Sequence, residues 1–225
     1  MEQKYDEKTI KDMSLRFLVC CYFGRSDNLL KAVIDRAYVD MASHTLKGFK
    51  ENYEDKWTCR YNATNVIFKR IKEYPCNSAS YDDWHNKSIN QIIDCYKTVT
   101  LHEGQAQKWL NMTIKYLYVL KTLFENDYSR LKEAESFLKN TNHDNYLPPV
   151  DSYVLNGGEL TNYNSWSNID DYKPLKQDMK DNGFDFLWEL ENWESFLRQY
   201  PKNDDLKSYA RHVKIQEKEG KIIPF

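Results

Sequence analysis

The sequence predicts an all-α fold of about eight helices, on three observations. Glycine is scarce, at 7 of 225 residues, and proline numbers only 6, so a turn-rich β fold is disfavoured. Strong helix formers, chiefly Lys, Glu and Leu, are frequent. Apolar residues recur at three- and four-residue spacing along most of the chain. A chain of this length buries one sizeable core, so one domain spanning 1–225 is expected, with two lobes and a cleft between them.

The elements follow in order. In "DEKTIKDMSLRFLVCCYF" the spacing of Ile10, Met13, Phe17 and Cys20/Cys21 predicts a first helix. "SDNLLKAVIDRAYVDMASHTLKGF" predicts a second, capped by Ser26 or Asp27 and ended by Gly48. Its apolar stripe is Leu30, Val33, Ile34, Ala37, Met41 and Leu46. "NATNVIFKRIKEY" predicts a third, stopped by Pro75. "SYDDWHNKSINQIIDCYKTV" predicts a fourth, capped by Ser80 or Asp82.

The strongest helical pattern lies in "EGQAQKWLNMTIKYLYVLKTLF". There Ala106, Trp109, Leu110, Thr113, Leu117, Leu120 and Phe124 form one stripe. A shorter helix is expected in "DYSRLKEAESFLKN". The stretch "LPPVDSYVL" then leads into another, and "NGGELTNYNSWSNID" reads as a loop. "YKPLKQDMKDN" and "FLWELENWESFLRQY" predict the last two helices, before a tail ending "EKEGKIIPF".

Bulk properties exclude several classes of function. Net charge is −2, so no global basic signature of a nucleic-acid binder is present. The charge is uneven: residues 1–150 carry about +2 and residues 151–225 about −4, which leaves room for a local phosphate-binding patch. Cys20, Cys21, Cys59, Cys76 and Cys95 fit neither a disulfide framework nor a zinc site, which implies reduced thiols in the cytoplasm. His44, His102, His143 and His212 share no ligand spacing with any cysteine or acid, so no metal and no other cofactor is expected. No apolar run approaches the length of a membrane span, and "MEQKYDEKTIKDM" is too charged for a signal peptide. No glycine-rich phosphate loop is present, which speaks against nucleoside triphosphate hydrolysis.

Two residues carry potential chemistry. Lys108, in "EGQAQK", stands beside an apolar stripe, with Gly104 four residues earlier on the same face. Its plain reading is a lysine whose stem lies on the core and whose head reaches water. The sharper reading is an amine, desolvated by Trp109 and Met112, that attacks an aldehyde-like carbon to form a Schiff base. Such an amine needs a carboxylate nearby to move protons. Asp151 is the best placed. Pro148 and Pro149 keep the chain ahead of it extended, and "SYVL" enters a helix just after it. By itself Asp151 also reads completely as a helix cap.

"EGQAQK" and "PPVDSYVL" together resemble the signature of the helix-hairpin-helix DNA glycosylases. In that superfamily a glycine-containing hairpin leads into the helix of the catalytic lysine, and a "PVD"-type segment delivers the catalytic aspartate. The resemblance covers roughly residues 95–156. It implies that Lys108 attacks the sugar, that Asp151 stabilises charge and assists proton movement, and that no cofactor is needed. The hairpin here has one glycine, Gly104, and the interval from Lys108 to Asp151 is long. Both features are similar to the divergent archaeal 8-oxoguanine glycosylase branch. No cysteine follows Asp151, so the iron–sulfur cluster of the endonuclease III branch is absent.

The resemblance also implies a double-stranded DNA partner with one flipped base. Gly104, Gln105 and Gln107, at the start of the Lys108 helix, are expected to meet DNA, with backbone amides of Gly104 and Gln105 on a phosphate. Glu103 opposes that field. Met112, Glu189 and Trp193 are expected to line the base pocket, Glu189 and Trp193 sharing a face at i,i+4 spacing. For Glu189 and Trp193 the competing reading is core. His85, in "DDWH" near a helix start, reads as a structural capping residue, with a pocket donor as its alternative. Either Lys108 or Lys115, seven residues on, can face the cleft. The protein is expected to be a monomer. The competing function is a helical interaction or regulatory module, or a glycosylase-like DNA-binding protein that acts against modified foreign DNA.

Overall fold

A computed structural model describes residues 6–42, 46, 53–75, 80–96, 100–160, 162–163 and 165–199. It is all-helical, with no strand among the described residues. The chain divides into two units, Met1–Phe186 and Leu187–Phe225. The tail expected after Gln199, and Gly48 as the end of the second helix, lie outside the described residues.

In the first unit α1 spans Glu7–Phe23, α2 Leu29–Ala42, α3 Tyr53–Lys72, α4 Tyr81–Asp94 and α5 Glu103–Leu123. Short 3-10 turns at Tyr128–Arg130 and Lys132–Ala134 lead into α6, Glu135–Asn140. α7 is Ser152–Gly157 and α8 is Lys173–Asp181. α9, Phe186–Gln199, lies almost wholly in the second unit.

α5 is the spine. It packs along α2, and also meets α4 and α6. The stripe of α2 is buried from Leu30 through Met41, while Leu46 is half-buried beyond the helix end. The Trp109 indole N–H donates to the Ile34 carbonyl at 3.0 Å, which sets the register of α5 on α2. Between α3 and α4 the Trp84 indole donates to the Arg70 carbonyl at 3.1 Å. The Arg70 guanidinium answers with bonds to the Ser88 hydroxyl and the Trp84 carbonyl. Tyr74, Trp84, Phe137, Tyr146 and Phe186 form an aromatic cluster, with Phe137 and Tyr146 stacked at 5.9 Å.

Local expectations differ at two places, the cap of α2 and the start of α3, and at the start of α4 one of the two expected caps is selected. Asn28, not Ser26 or Asp27, caps α2: its side-chain oxygen accepts from Lys31 N at 3.1 Å, while the Ser26 hydroxyl accepts from Asn28 N. Ser80 caps α4, and Asp82 is instead paired with Lys176 at 2.7 Å. α3 begins at Tyr53 rather than near Asn62. Its first turns hold Arg60, whose guanidinium lies 4.2 Å over the Tyr38 ring and pairs with Asp35.

The largest difference concerns α1. Asp6 caps it, yet none of its residues is buried. Ile10, Met13 and Phe17 are exposed, Phe17 by 68%. The helix is held at its C-terminal end, where the Tyr22 hydroxyl donates to Tyr116 and Tyr116 donates to Asp40, and nearer its start by a surface ion pair of Lys11 with Glu125. Phe17→Ser is therefore expected to change unfolding free energy by less than about 0.5 kcal/mol. Ile34→Ala, in the α2–α5 seam, should cost about 3 kcal/mol. Urea denaturation of both variants checks the contrast.

Candidate active site

Residues 146–150 run into the interior as an extended, buried segment. Burying backbone without regular structure is costly unless its polar groups find partners. Pro148 and Pro149 lighten that demand, because neither has an N–H. What remains is met by two amide side chains from α5. Gln107 Nε2 donates to the carbonyls of Gly104 (2.8 Å) and Val150 (3.0 Å). Its Oε1 accepts from Val150 N (3.3 Å) and Asn111 Nδ2 (3.1 Å). Asn111 Nδ2 also donates to the Pro148 carbonyl at 3.1 Å. Gln107 thus pairs with Val150 as a neighbouring strand would.

That clamp delivers Asp151. Its Oδ1 accepts from Tyr153 N (2.8 Å) and Val154 N (3.2 Å), capping α7. Its Oδ2 accepts from Lys108 Nζ at 3.1 Å. Lys108 is 5% exposed and Asp151 4%. The two are 43 residues apart in sequence. Lys108, not Lys115, is thus the lysine paired with Asp151. The cap reading and the lysine-partner reading of Asp151 hold together, one on each oxygen.

A second segment, residues 165–172, lies across the first turns of α5. The Trp166 ring sits 4.4 Å from Lys108 Nζ, a cation–π distance. Gly104 N donates to the Ile169 carbonyl at 2.9 Å, and Tyr172 N donates to Glu103 Oε2 at 2.8 Å. His102 Nδ1 bonds Asp170. Gly104 is needed for this approach: a Cβ there would stand 1.8 Å from the Trp166 carbonyl oxygen. A cavity of about 730 Å³ opens beside the Trp166 ring, between α7 and the loop that follows it.

The remaining expected residues are placed as follows. In this structure the amides of Gly104 and Gln105 are spent inside the protein, on Ile169 and His102, rather than turned to a phosphate. The Gln105 side chain accepts from His102 N, and Gln107 is fully enclosed in the clamp, so neither faces a DNA surface here. The N-terminus of α5 is covered because residues 165–172 offer it a backbone acceptor first. Met112 is buried one turn beyond Lys108. Glu189, buried, and Trp193, half-buried, belong to the second unit, whereas the Lys108–Asp151 pair belongs to the first. Trp109, expected to cover Lys108, points to α2 instead. Trp166 was hidden in a polar loop, where a lone tryptophan is the only signal it leaves. Gln107 and Asn111, polar residues spaced i,i+4 within an apolar helix face, were the legible sign of the clamp.

His85 does not cap α4, a place taken by Ser80, but lies in the interior on Asn111. It is fully buried, and its Nε2 bonds Asn111 Oδ1 at 2.7 Å. Asn111 uses its NH₂ on Gln107 and Pro148, so its oxygen is the acceptor and His85 Nε2 carries the proton. His85 Nδ1 has no partner. Burial lowers the His85 pKa to about 4 from 6.5, and the Lys176 charge pushes the same way, against the Asn111 bond. Among the described residues no cluster could hold a metal ion. Comparison with protein-family models, with curated proteins and with solved structures finds no match.

Two outcomes follow. The unfolded chain takes up a proton on His85 below about pH 6.5, whereas the folded protein does so only near pH 4. Stability is therefore lost as pH falls from 6.5 toward 4, on the order of 3 kcal/mol in full. His85→Gln should flatten that part of the curve of melting temperature against pH. For the ion pair, Asp151→Asn strands the Lys108 charge in the interior and should cost about 3 kcal/mol. Lys108→Met should cost less, because Asp151 keeps its two backbone donors. In urea unfolding the double variant should lose less than the two single losses added, by more than about 1 kcal/mol.

Proposed function

We propose that the protein is a DNA base-excision glycosylase acting through a lysine Schiff base. The observation that carries the reading is the Lys108–Asp151 contact at 3.1 Å, built from two segments distant in sequence. The likeness of "EGQAQK" and "PPVDSYVL" to the helix-hairpin-helix glycosylases supports the same chemistry. The Lys108 amine must lose a proton before it can attack, and Asp151 Oδ2 is the group within reach to take it.

In this reading the target nucleotide is turned out of the duplex. The bond from the sugar C1′ to the base breaks, and the base leaves with the bonding electrons and takes up the proton that Asp151 has accepted from Lys108. Lys108 Nζ forms its bond to C1′, and Asp151 offsets the positive charge that develops there. Ring opening gives the Schiff base. Loss of a C2′ proton then expels the 3′-phosphate, and water releases Lys108. The resemblance points to an oxidised purine such as 8-oxoguanine. A modified base in foreign DNA is the other substrate class to be screened.

A second reading is favoured by the burial of both side chains. In it the pair is an interior staple of a helical interaction module, without chemistry. Trapping separates the two. With borohydride present, wild-type protein should become covalently joined to an oligonucleotide carrying its target base or an abasic site. Lys108→Gln should abolish the joined species. Asp151→Asn should bind the same DNA but lose base release by at least about a hundredfold. Wild-type protein that never traps, across a panel of modified bases and abasic DNA, sinks the enzyme reading in favour of the staple.

A further inference from the structure

If Lys108 is a reactive amine, its surroundings pose a problem: at 5% exposure it cannot meet a sugar. The group over it is Trp166, and Trp166 belongs to a segment fastened to α5 at its start. We propose that residues 165–172 form a strap that gates Lys108, and that substrate entry displaces the Trp166 ring. This rests on the reading of Lys108 as the reactive amine, and names the residue that controls access to it.

Four observations converge on the strap. Among the described residues, its fastenings ahead of the buried Tyr172 ring are local to the start of α5: one backbone bond to Gly104, one to the Glu103 carboxylate, the His102–Asp170 contact and the cation–π contact. His102 and Asp170 are at the surface, where such a pair contributes little. Trp166 itself is only half-buried, and the segment's own 3-10 turn, Trp166–Asn168, buries no residue. Residues 165–171 are all half-buried or exposed, whereas Tyr172, buried at the start of α8, is the fixed end of the strap. The exposed part opens at a small fraction of the global unfolding free energy.

The space for the movement is present. The cavity of about 730 Å³ beside Trp166 is lined by Ser152, Leu155, Asn156, Leu160 and Tyr163, and lets the ring leave Lys108 without rebuilding the core. Glu159, on the same cavity, has a backbone φ of 53°, a left-handed conformation unusual for a side-chain-bearing residue.

Opening would do two things at once. It would uncover Lys108 Nζ and Asp151 Oδ2. It would also release the Gly104 amide from Ile169, which turns the start of a 21-residue helix into a free donor for an anion. One movement thus couples access to the amine with the phosphate contact expected from the sequence. Glu103, which binds the Tyr172 amide when the strap is closed, would then stand beside the same helix start.

The test uses an aldehyde rather than DNA, so that it does not depend on the substrate. Full-length protein is treated with pyridoxal 5′-phosphate, which condenses with a free amine with loss of water. Borohydride then supplies hydride to fix the adduct, and peptide mapping reads each lysine. In wild type, Lys108 should be labelled at least about tenfold more slowly than the exposed Lys139. Trp166→Ala removes the cover, and Gly104→Ala drives the strap's backbone away while keeping the tryptophan. Each should raise labelling at Lys108 by about tenfold and leave Lys139 unchanged. Wild-type Lys108 labelled as fast as Lys139 overturns the gate. So does unchanged labelling of Lys108 in either variant.

Hydrogen exchange on wild-type protein covers the case in which a variant does not fold. The Gly104 and Tyr172 amides should exchange together, at least about tenfold faster than Leu110 and Leu117 within α5. Equal protection of all four amides overturns the proposal. The outcomes for the two readings stay separate. A gated Lys108 that never traps on DNA removes base excision and leaves the strap, while a trapping Lys108 with no gated labelling does the reverse.

Discussion

The carboxylate of Asp151 has two oxygens, and everything around the site depends on how they are shared. One closes the start of α7, and the other holds Lys108. A helix as short as α7 is marginal by itself, so its cap is also its anchor to the rest of the chain. The capping bonds fix the carboxylate plane, and that plane aims the second oxygen at α5. The ion pair is therefore oriented by backbone amides, not by a flexible carboxylate finding its own place.

The aim would fail if the segment ahead of Asp151 could slide. It cannot, because Gln107 grips both polar groups of Val150 and Asn111 grips the Pro148 carbonyl. All four hydrogen-bonding positions of the Gln107 amide are used. His85 holds Asn111 from behind and stays neutral because it is buried. The chain from His85 to Asp151 is thus a connected polar network inside an apolar helix junction. Such a network specifies one arrangement strongly, since a partly satisfied version would leave buried groups unpaired. The cover over Lys108 has the opposite character. It is tied by a few bonds at one helix end, which suits a part that moves.

Most helices were legible because their stripes are long and their stop signals ordinary. α5 stands where its apolar spacing places it, α2 does so as far as Met41, with Leu46 beyond its end, and Ser80 and Pro75 act as punctuation at the start of α4 and after α3. α1 shows what periodicity leaves out. Ile10, Met13 and Phe17 are correctly spaced, but no other element lies over that face among the described residues, and they remain exposed. The start of α3 was missed because the stacking of Arg60 on Tyr38, a contact between helices, holds its early turns. The single predicted helix over 127–140 is broken into two 3-10 turns and one short α-helix, with Ala134, Phe137 and Leu138 buried.

By itself the sequence determined that the fold is helical, that α5 is its strongest element, and that Asp151 stands stiffly at a helix start. Those are local properties: spacing, the fixed φ of two prolines, and the cap preference of aspartate. Only the tertiary structure decided that Lys108 rather than Lys115 meets Asp151, that Gln107 faces inward, and that Trp166 covers the amine. Each of those depends on which segment lies across α5. That choice is made by satisfying buried polar groups 37 to 75 residues away, and no local pattern records it.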